Sequence, residues 1–306
     1  DHGVMYGAVD FYKAARKEGI KPIIGCEVYV APRSRHDRDV HYDNYQYHLV
    51  LLAADPVGYR NLTALVSAAW LEGFYYKPRI DRELLTRHNQ GIIALSGCLV
   101  GEVATHLLKG KEKKALEAAA WYREVFGREN YFLELQDQGL SEQPQLNRQL
   151  VQLGHKLDIP LVVSNDVHYV YPDRARAHDV LLCIQTGKNI NDPNRFRFPT
   201  LQFYLKSPEE MASLFAEVPG ALANTLAIAE RCSFDFSFGH LHLPSYQVPS
   251  GEDTAGFLRQ LCYQGLRRRG LDGDPSARER LQYELGIIDQ MGYPGYFLIV
   301  WDMVNY

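Results

Sequence analysis

The chain has 306 residues, of which 46% are hydrophobic and 23% are charged, and its formal net charge at pH 7 is −4. This length is enough for one large domain or two ordinary ones, and the composition is ordinary for a globular protein. The sequence has no basic excess typical of a nucleic-acid-binding module, no apolar stretch near the ~18 residues of a membrane span, and no secretory signal. We therefore expect a cytoplasmic protein with no membrane partner.

The cysteines support the same compartment. They are odd in number, widely spaced and form no C-x-x-C pair: Cys26, Cys98, Cys183, Cys232 and Cys262. This pattern favours reduced thiols over a disulfide framework or a zinc ribbon. The chain begins at Asp1 without a methionine and ends at Tyr306 within an apolar run, so we expect both ends to be cut from a longer protein.

As far as about residue 170, short β-rich runs alternate with longer helical stretches. The runs are nearly continuous in apolar residues, as expected for strands covered on both faces, and they span residues 22–30, 48–52, 91–95, 131–135 and 161–163. The helical stretches between them span residues 6–18, 57–70, 111–126 and 145–157. Repeated β-then-α units predict an α/β fold with a parallel sheet or barrel, in which active groups gather at the carboxyl ends of the strands.

The pattern changes after residue 170. The run Ser207-Pro208-Glu209-Glu210 combines a cap, a first-turn proline and acidic residues, which predicts a helix start. This helical stretch continues to about residue 231, and residues 233–252 have the composition of a linker. Residues 253–291 are helical and amphipathic, and we place a domain boundary near residue 240.

Two basic clusters lie at residues 109–114 and 267–269. Each is interpreted as a solvated helix face rather than a binding patch. If nucleic acid is a partner, most of the electrostatic attraction must come from elsewhere.

Residues of metal-ligand type lie near the ends of several predicted strands. Asp166 and His168 follow the last strand two residues apart, so on an extended chain their side chains point the same way. The other candidates are His2, Glu27, His48 and Cys98. This mixture of imidazole, carboxylate and thiol suits zinc or manganese, and a bridging carboxylate could hold two ions about 3.5–4 Å apart.

Each candidate also has an ordinary structural interpretation. A single histidine is commonly a satisfied polar residue, Glu27 could pair with an arginine, and Cys98 could be a small core residue. Spacing alone leaves both interpretations open. The remaining histidines are interpreted as structural: His36, His41, His88, His106, His155, His178, His240 and His242. No nucleophile elbow, phosphate loop or dinucleotide-binding glycine pattern is present.

The sequence resembles the family C replicative DNA polymerases, the bacterial DNA polymerase III alpha family, over essentially its whole length. The matching segments span residues 1–8, 25–29, 72–79, 96–99, 164–169 and 292–300. The first five belong to the polymerase and histidinol phosphatase (PHP) domain, a distorted β/α barrel in the family, and the last to the start of the polymerase palm. The resemblance implies a PHP domain missing its first strands over residues 1–240, and a linker with the mostly helical beginning of the palm over residues 241–306.

The resemblance also implies a three-metal site. Its ligands would be Asp166 on the first ion, His48 with Cys98 on the second, and His2 with His168 on the third, with Glu27 bridging two ions. Glu27, Asp166 and His168 would then be catalytic, with metal-bound hydroxide as the nucleophile. Lys77 and Arg79 are candidate phosphate contacts.

Further expectations come from the whole family. Its members carry additional ligands before the position of Asp1, and palm aspartates for two magnesium ions beyond that of Tyr306, so we do not expect this chain to polymerise DNA alone. The implied partners are DNA, deoxynucleoside triphosphates, the sliding clamp and a proofreading exonuclease.

Three possible roles of the PHP domain follow from these expectations. Every ligand position in the chain is a competent ligand, which favours zinc- or manganese-dependent 3′–5′ exonuclease activity. The alternatives are a stand-alone phosphatase on small monoesters, or a non-catalytic scaffold that docks a proofreading subunit.

Overall fold

The structure is a computed structural model that describes residues 1–239, 244–251 and 253–306. The chain divides into two compact units, Asp1–Phe236 and Ser237–Tyr306. The boundary predicted near residue 240 lies outside the described residues, as do His240 and His242.

The described part of the first unit contains a mixed sheet of six strands in the order β3-β1-β2-β4-β5-β6. The strands are β1 (Gly25–Val30), β2 (Tyr47–Ala53), β3 (Arg79–Ile80), β4 (Ile92–Leu95), β5 (Tyr131–Leu135) and β6 (Leu161–Val163). All except β3 coincide with predicted runs, and β3 has only two residues, too few to form a pattern. The α/β fold class is confirmed.

The direction of β2 differs from the prediction of a parallel sheet. β2 runs antiparallel to β1 and to β4, whereas the other neighbouring strands are parallel. Residues 31–46 connect β1 to β2 without a helix, and a parallel neighbour would need a crossover connection. The beginning of β2 therefore lies beside the carboxyl end of β1, where Tyr47 pairs with Val30.

Nine α-helices are described in the first unit. They are α1 (Ala8–Lys17), α2 (Pro56–Leu71), α3 (Arg82–Arg87), α4 (Glu102–Leu108), α5 (Glu112–Phe126), α6 (Gln143–Leu157), α7 (Ala175–Thr186), α8 (Pro208–Leu214) and α9 (Pro219–Arg231). The predicted start of α8 is a capping box, because Ser207 and Glu210 each bind the other's backbone N–H with a side-chain oxygen. The stretch predicted to continue to residue 231 is interrupted, and Pro219 begins α9.

The sheet buries a different core on each face. Alternate residues of β1 and β2, such as Val28 and Leu49, join the larger core with side chains of α2, α4, α5 and α6. The opposite face carries a smaller core in which Leu95 and Phe132 pack with Ile228 of α9. Because Glu27 alternates with the residues of the larger core, its side chain lies on the face of the smaller one.

The second unit is helical in its described residues. After a short 3₁₀ turn (Pro249–Gly251), it contains α10 (Thr254–Arg268), α11 (Pro275–Gln290) and α12 (Pro294–Asn305). Leu258, Leu285 and Leu298 form its core, one from each helix. The continuous stretch predicted over residues 253–291 is therefore broken, because Gly270 has a φ of +71° and Asp274 caps a new helix. Across the described parts of both units, no helix is long and apolar enough to cross a membrane.

Candidate metal centre

The reversed direction of β2 brings His48 to the candidate site. His48 is the second residue of β2 and lies opposite Tyr29, and Glu27 lies opposite Val50, so Glu27 and His48 are diagonal neighbours on one face. Cys98 reaches the same place through the turn after β4. Gly97 in that turn has a φ of +81°, and a Cβ there would lie 2.7 Å from the carbonyl oxygen of His48. Only glycine allows this close approach.

Three predicted ligands form a compact cluster. The Nδ1 atom of His48 lies 2.5 Å from Oε1 of Glu27, and Sγ of Cys98 lies 3.6 Å from the same nitrogen. Ligand atoms of all three residues lie within 4.8 Å of one another. A carboxylate, an imidazole and a thiol at these distances form a donor set that fits a transition-metal ion.

His2 joins this cluster through the second oxygen of Glu27. Its Nε2 atom lies 3.3 Å from Oε2 of Glu27, so each carboxylate oxygen faces a different histidine. Backbone hydrogen bonds hold the two segments together, since Gly3 N–H donates to the Glu27 carbonyl and Glu27 N–H donates to the Asp1 carbonyl. The Glu27 carboxylate therefore lies between the two histidines.

Asp166 and His168 complete the group. The two rings of His2 and His168 stack with centroids 6.5 Å apart, and Nε2 of His168 lies 3.3 Å from Oδ1 of Asp166. The pair does not lie on an extended strand as predicted, because β6 ends at Val163 and Asp166 has a φ of +46°. The turn nevertheless brings both side chains together beside His2, whereas Glu27, His48 and Cys98 are the three whose ligand atoms all lie within 4.8 Å of one another.

The electrostatics of the site keep Glu27 ionised. Burial by itself raises the pKa of Glu27, but hydrogen bonds from His2 and His48 and their charges outweigh it and lower the pKa to about 2. The hydrogen bond to Glu27 likewise raises the pKa of His2. Burial raises the pKa of Cys98 to about 12, so its thiol would lose a proton only on binding a metal.

Glu134 is a residue of the site that the sequence interpretation missed. It is buried, and its carboxylate accepts hydrogen bonds from Gly97 N–H at 2.9 Å, from Gln136 Nε2 at 3.1 Å and from the Ser164 hydroxyl. Burial raises the pKa of Glu134 despite these bonds. Through its hydrogen bonds, the Glu134 carboxylate connects the turn that contains Cys98 with the segment that leads into the Asp166 turn. The available signal was a lone acid in the otherwise apolar run 131–135.

His178 is a second residue close to the site. Its ring lies 5.5 Å from that of His168, and Phe198 packs against both rings. Burial and the charge of His168 lower the pKa of His178. His178 was predicted to be structural, and its ten-residue distance from His168 in sequence carries no sign of this contact.

The two candidate phosphate contacts have different placements. Arg79 is fully buried and its guanidinium donates hydrogen bonds to backbone carbonyls of four residues: Arg35, Asp37, Asp43 and Gly73. The prediction that Arg79 contacts phosphate is therefore wrong. Lys77 is exposed, its Nζ atom lies 5.5 Å from the ring centre of Tyr29, and that ring lies 5.2 Å from His48.

Comparison with known proteins identifies the domains to which the chain is similar. Residues 1–138 match the family model described as "PHP domain", so the first unit contains a PHP domain. Residues 256–306 match the model described as "Bacterial DNA polymerase III alpha NTPase domain".

Similar proteins extend this match to the whole chain. The chain is 47% identical over 308 residues to DNA polymerase III subunit alpha of Treponema pallidum (strain Nichols), and 42% identical over 309 residues to that of Borreliella burgdorferi. It is 45% identical over 324 residues to that of Mycobacterium tuberculosis. These alignments cover 100% of the chain but 26–27% of each relative, so the chain spans about a quarter of their length. The chain belongs to the bacterial DNA polymerase III alpha family.

Proposed function

We propose that the first unit is a multinuclear, metal-dependent phosphoesterase with 3′–5′ exonuclease character. The observation that carries this proposal is the Glu27 carboxylate, whose two oxygens face His2 and His48 while Cys98 lies beside His48. A carboxylate in this arrangement suits two ions better than one. The ligand roles proposed are those of the sequence interpretation, with Asp166 and His168 on the far side of His2.

The chemistry follows from the side chains. Bound zinc or manganese would supply an activated water and stabilise the charge on a phosphoryl group. Glu27, held ionised by its histidine neighbours, contributes the negative charge that a pair of cations requires. Lys77, whose Nζ atom lies near the Tyr29 ring that contacts His48, would orient a substrate phosphate.

The relatives' name supports a wider proposal. We infer that the chain acts within a replicative DNA polymerase in the bacterial cytoplasm. Residues 1–240 would be its PHP domain, and residues 241–306 would be a linker with the beginning of its palm domain. Its substrates would be DNA and deoxynucleoside triphosphates with magnesium at the polymerase site, and its partners the sliding clamp and a proofreading exonuclease.

The test compares Asp166→Asn with the native residue in the complete gene product. We expect lower bound metal and at least about a hundredfold slower release of 3′ nucleotides from primed DNA. Asp173→Asn, at an exposed position in the next turn, is the matched control and should change neither quantity.

Three outcomes separate the alternatives. Hydrolysis of small phosphate monoesters but not of primed DNA would indicate a phosphatase. Absence of bound metal in the native protein would indicate a scaffold. Unchanged hydrolysis by Asp166→Asn would refute the role of Asp166.

A further inference from the structure

We propose that a basic pocket on the first unit, remote from the metal centre, binds the phosphate chain of a nucleotide or of a single nucleic-acid strand. The pocket has a volume of about 440 Å³, and its lining includes Tyr45, Tyr47, His106, Lys109, Lys111 and Lys114. Tyr47 joins the larger core whereas its neighbour His48 lies on the opposite face, so the pocket and the metal centre are on different sides of β2. This inference does not depend on the proposed hydrolytic function.

The pocket carries an excess of positive charge, because Arg33, Arg82 and the three lysines outnumber the carboxylates of Glu102 and Glu117 in its lining. In the described part of the chain, Lys109, Lys111 and Lys114 form no ion pair, whereas the adjacent Lys113 pairs with Glu117 at 3.9 Å. The three lysines come from the end of α4, the following turn and the first turn of α5, so the short loop between the helices turns them toward one place. All three lysines are exposed, as the interpretation of residues 109–114 as a solvated face predicted.

The carboxylates near the pocket are already engaged. Glu102 accepts hydrogen bonds from Arg82 at 2.8 Å and from the Tyr122 hydroxyl at 2.8 Å. The lining residue Arg33 is likewise paired, with Asp43 at 2.5 Å. An incoming anion would therefore meet the lysines without displacing an existing partner, which removes one cost of binding.

His106 shows that the lysine charges converge. Burial lowers the pKa of His106. The charge of Glu102 raises this pKa, and the charges of Lys114, Lys111 and Lys109 each lower it further. Its Nδ1 atom is buried and has no hydrogen-bond partner among the described residues. His106 and the three lysines line the same pocket, so an anion bound there would meet the combined positive potential of the lysines.

Aromatic rings define the chemical class further. Nζ of Lys109 lies 5.6 Å from the ring centre of Tyr45, and Tyr45 packs against Tyr47 with ring centres 5.5 Å apart. Lysines that contact phosphates beside a partly exposed tyrosine ring form the usual arrangement for a nucleotide or single strand, because a base can stack on the ring.

The experiment uses the 306-residue chain and two probes, a fluorescent oligothymidylate followed by anisotropy and inorganic triphosphate followed by calorimetry. The test variant combines Lys109→Gln, Lys111→Gln and Lys114→Gln. Its matched control combines Lys17→Gln, Arg148→Gln and Lys156→Gln, which removes the same charge from exposed positions outside the pocket.

For a single strand, we expect the slope of log affinity against log salt to fall by about 2 in the test variant, since each phosphate contact contributes about 0.7. Affinity at low salt should fall by at least about tenfold, and the control should behave as the native chain. If triphosphate alone binds the native chain and the test variant loses it, the ligand is a free nucleotide. If neither probe binds, or test and control variants respond equally, the proposal is overturned.

Discussion

Replacing Glu134 with alanine should loosen the metal centre, although Glu134 is not one of its predicted ligands. The residue is 5% exposed, and its carboxylate binds Gly97 and Ser164 on two separate segments and Gln136 on its own segment. Gly97 directly precedes Cys98, so any movement of that turn moves the thiol. The substitution therefore tests whether buried hydrogen bonds hold the site in place.

The expected loss of stability can be worked from the contacts. Gln136 Nε2 still donates to the Ser164 hydroxyl at 3.0 Å after the substitution, so these two groups remain partly satisfied. The backbone N–H of Gly97 loses its acceptor inside the protein, which costs about 1–3 kcal/mol, and the cavity left by the side chain adds about 1 kcal/mol. Because the native carboxyl is itself costly to bury, its removal offsets part of this loss, and we expect the free energy of unfolding to fall by about 2 kcal/mol.

The assay is urea denaturation combined with metal titration. Glu134→Gln retains an acceptor for the Gly97 N–H and should lose only about 1 kcal/mol, while Glu124→Ala, at an exposed position of α5, should lie within about 0.5 kcal/mol of the native chain. Glu134→Ala should also weaken metal binding about tenfold or more. Stability within about 0.5 kcal/mol of native for Glu134→Ala would refute the reasoning.

Two further predictions concern buried groups. Arg79→Met should lower the free energy of unfolding by about 3 kcal/mol or more, because several buried carbonyls lose their hydrogen-bond donor. Urea denaturation would measure this loss, with the surface substitution Arg148→Met as the control. Equal losses of stability in the two variants would contradict the prediction. Since the pKa of Cys98 is raised to about 12, metal binding should release the thiol proton, and metal affinity should rise with pH. Cys98→Ser should lower the number of protons released on metal binding by about one, as counted by calorimetry in several buffers. An unchanged number of protons would show that Cys98 is not a ligand.

The local elements were largely predictable because they depend on short-range pattern. Apolar runs located five of the six described strands, and the Ser207–Glu210 run predicted a helix start that the structure forms as a capping box. The two-residue strand β3 (Arg79–Ile80) escaped prediction because so short a segment has no periodicity.

The placement of buried charge was not predictable in the same way. Arg79 occurs in a motif rich in aromatic and basic residues, which is equally compatible with a surface role. Only the folded loop, with its inward-facing carbonyls, shows that its guanidinium is structural. Glu134 is the corresponding case for a carboxylate.

The sequence by itself determined which residues have ligand chemistry, since imidazole, carboxylate and thiol side chains define a donor set wherever they lie. It also determined the family, because the matching segments run along the whole chain. Only the tertiary structure decided that these ligands meet. The reversal of β2 places His48 at the edge where Glu27 and Cys98 lie, and the turn at Asp166 directs the last pair toward His2. Strand direction depends on pairing between distant segments, which no local pattern of residues encodes.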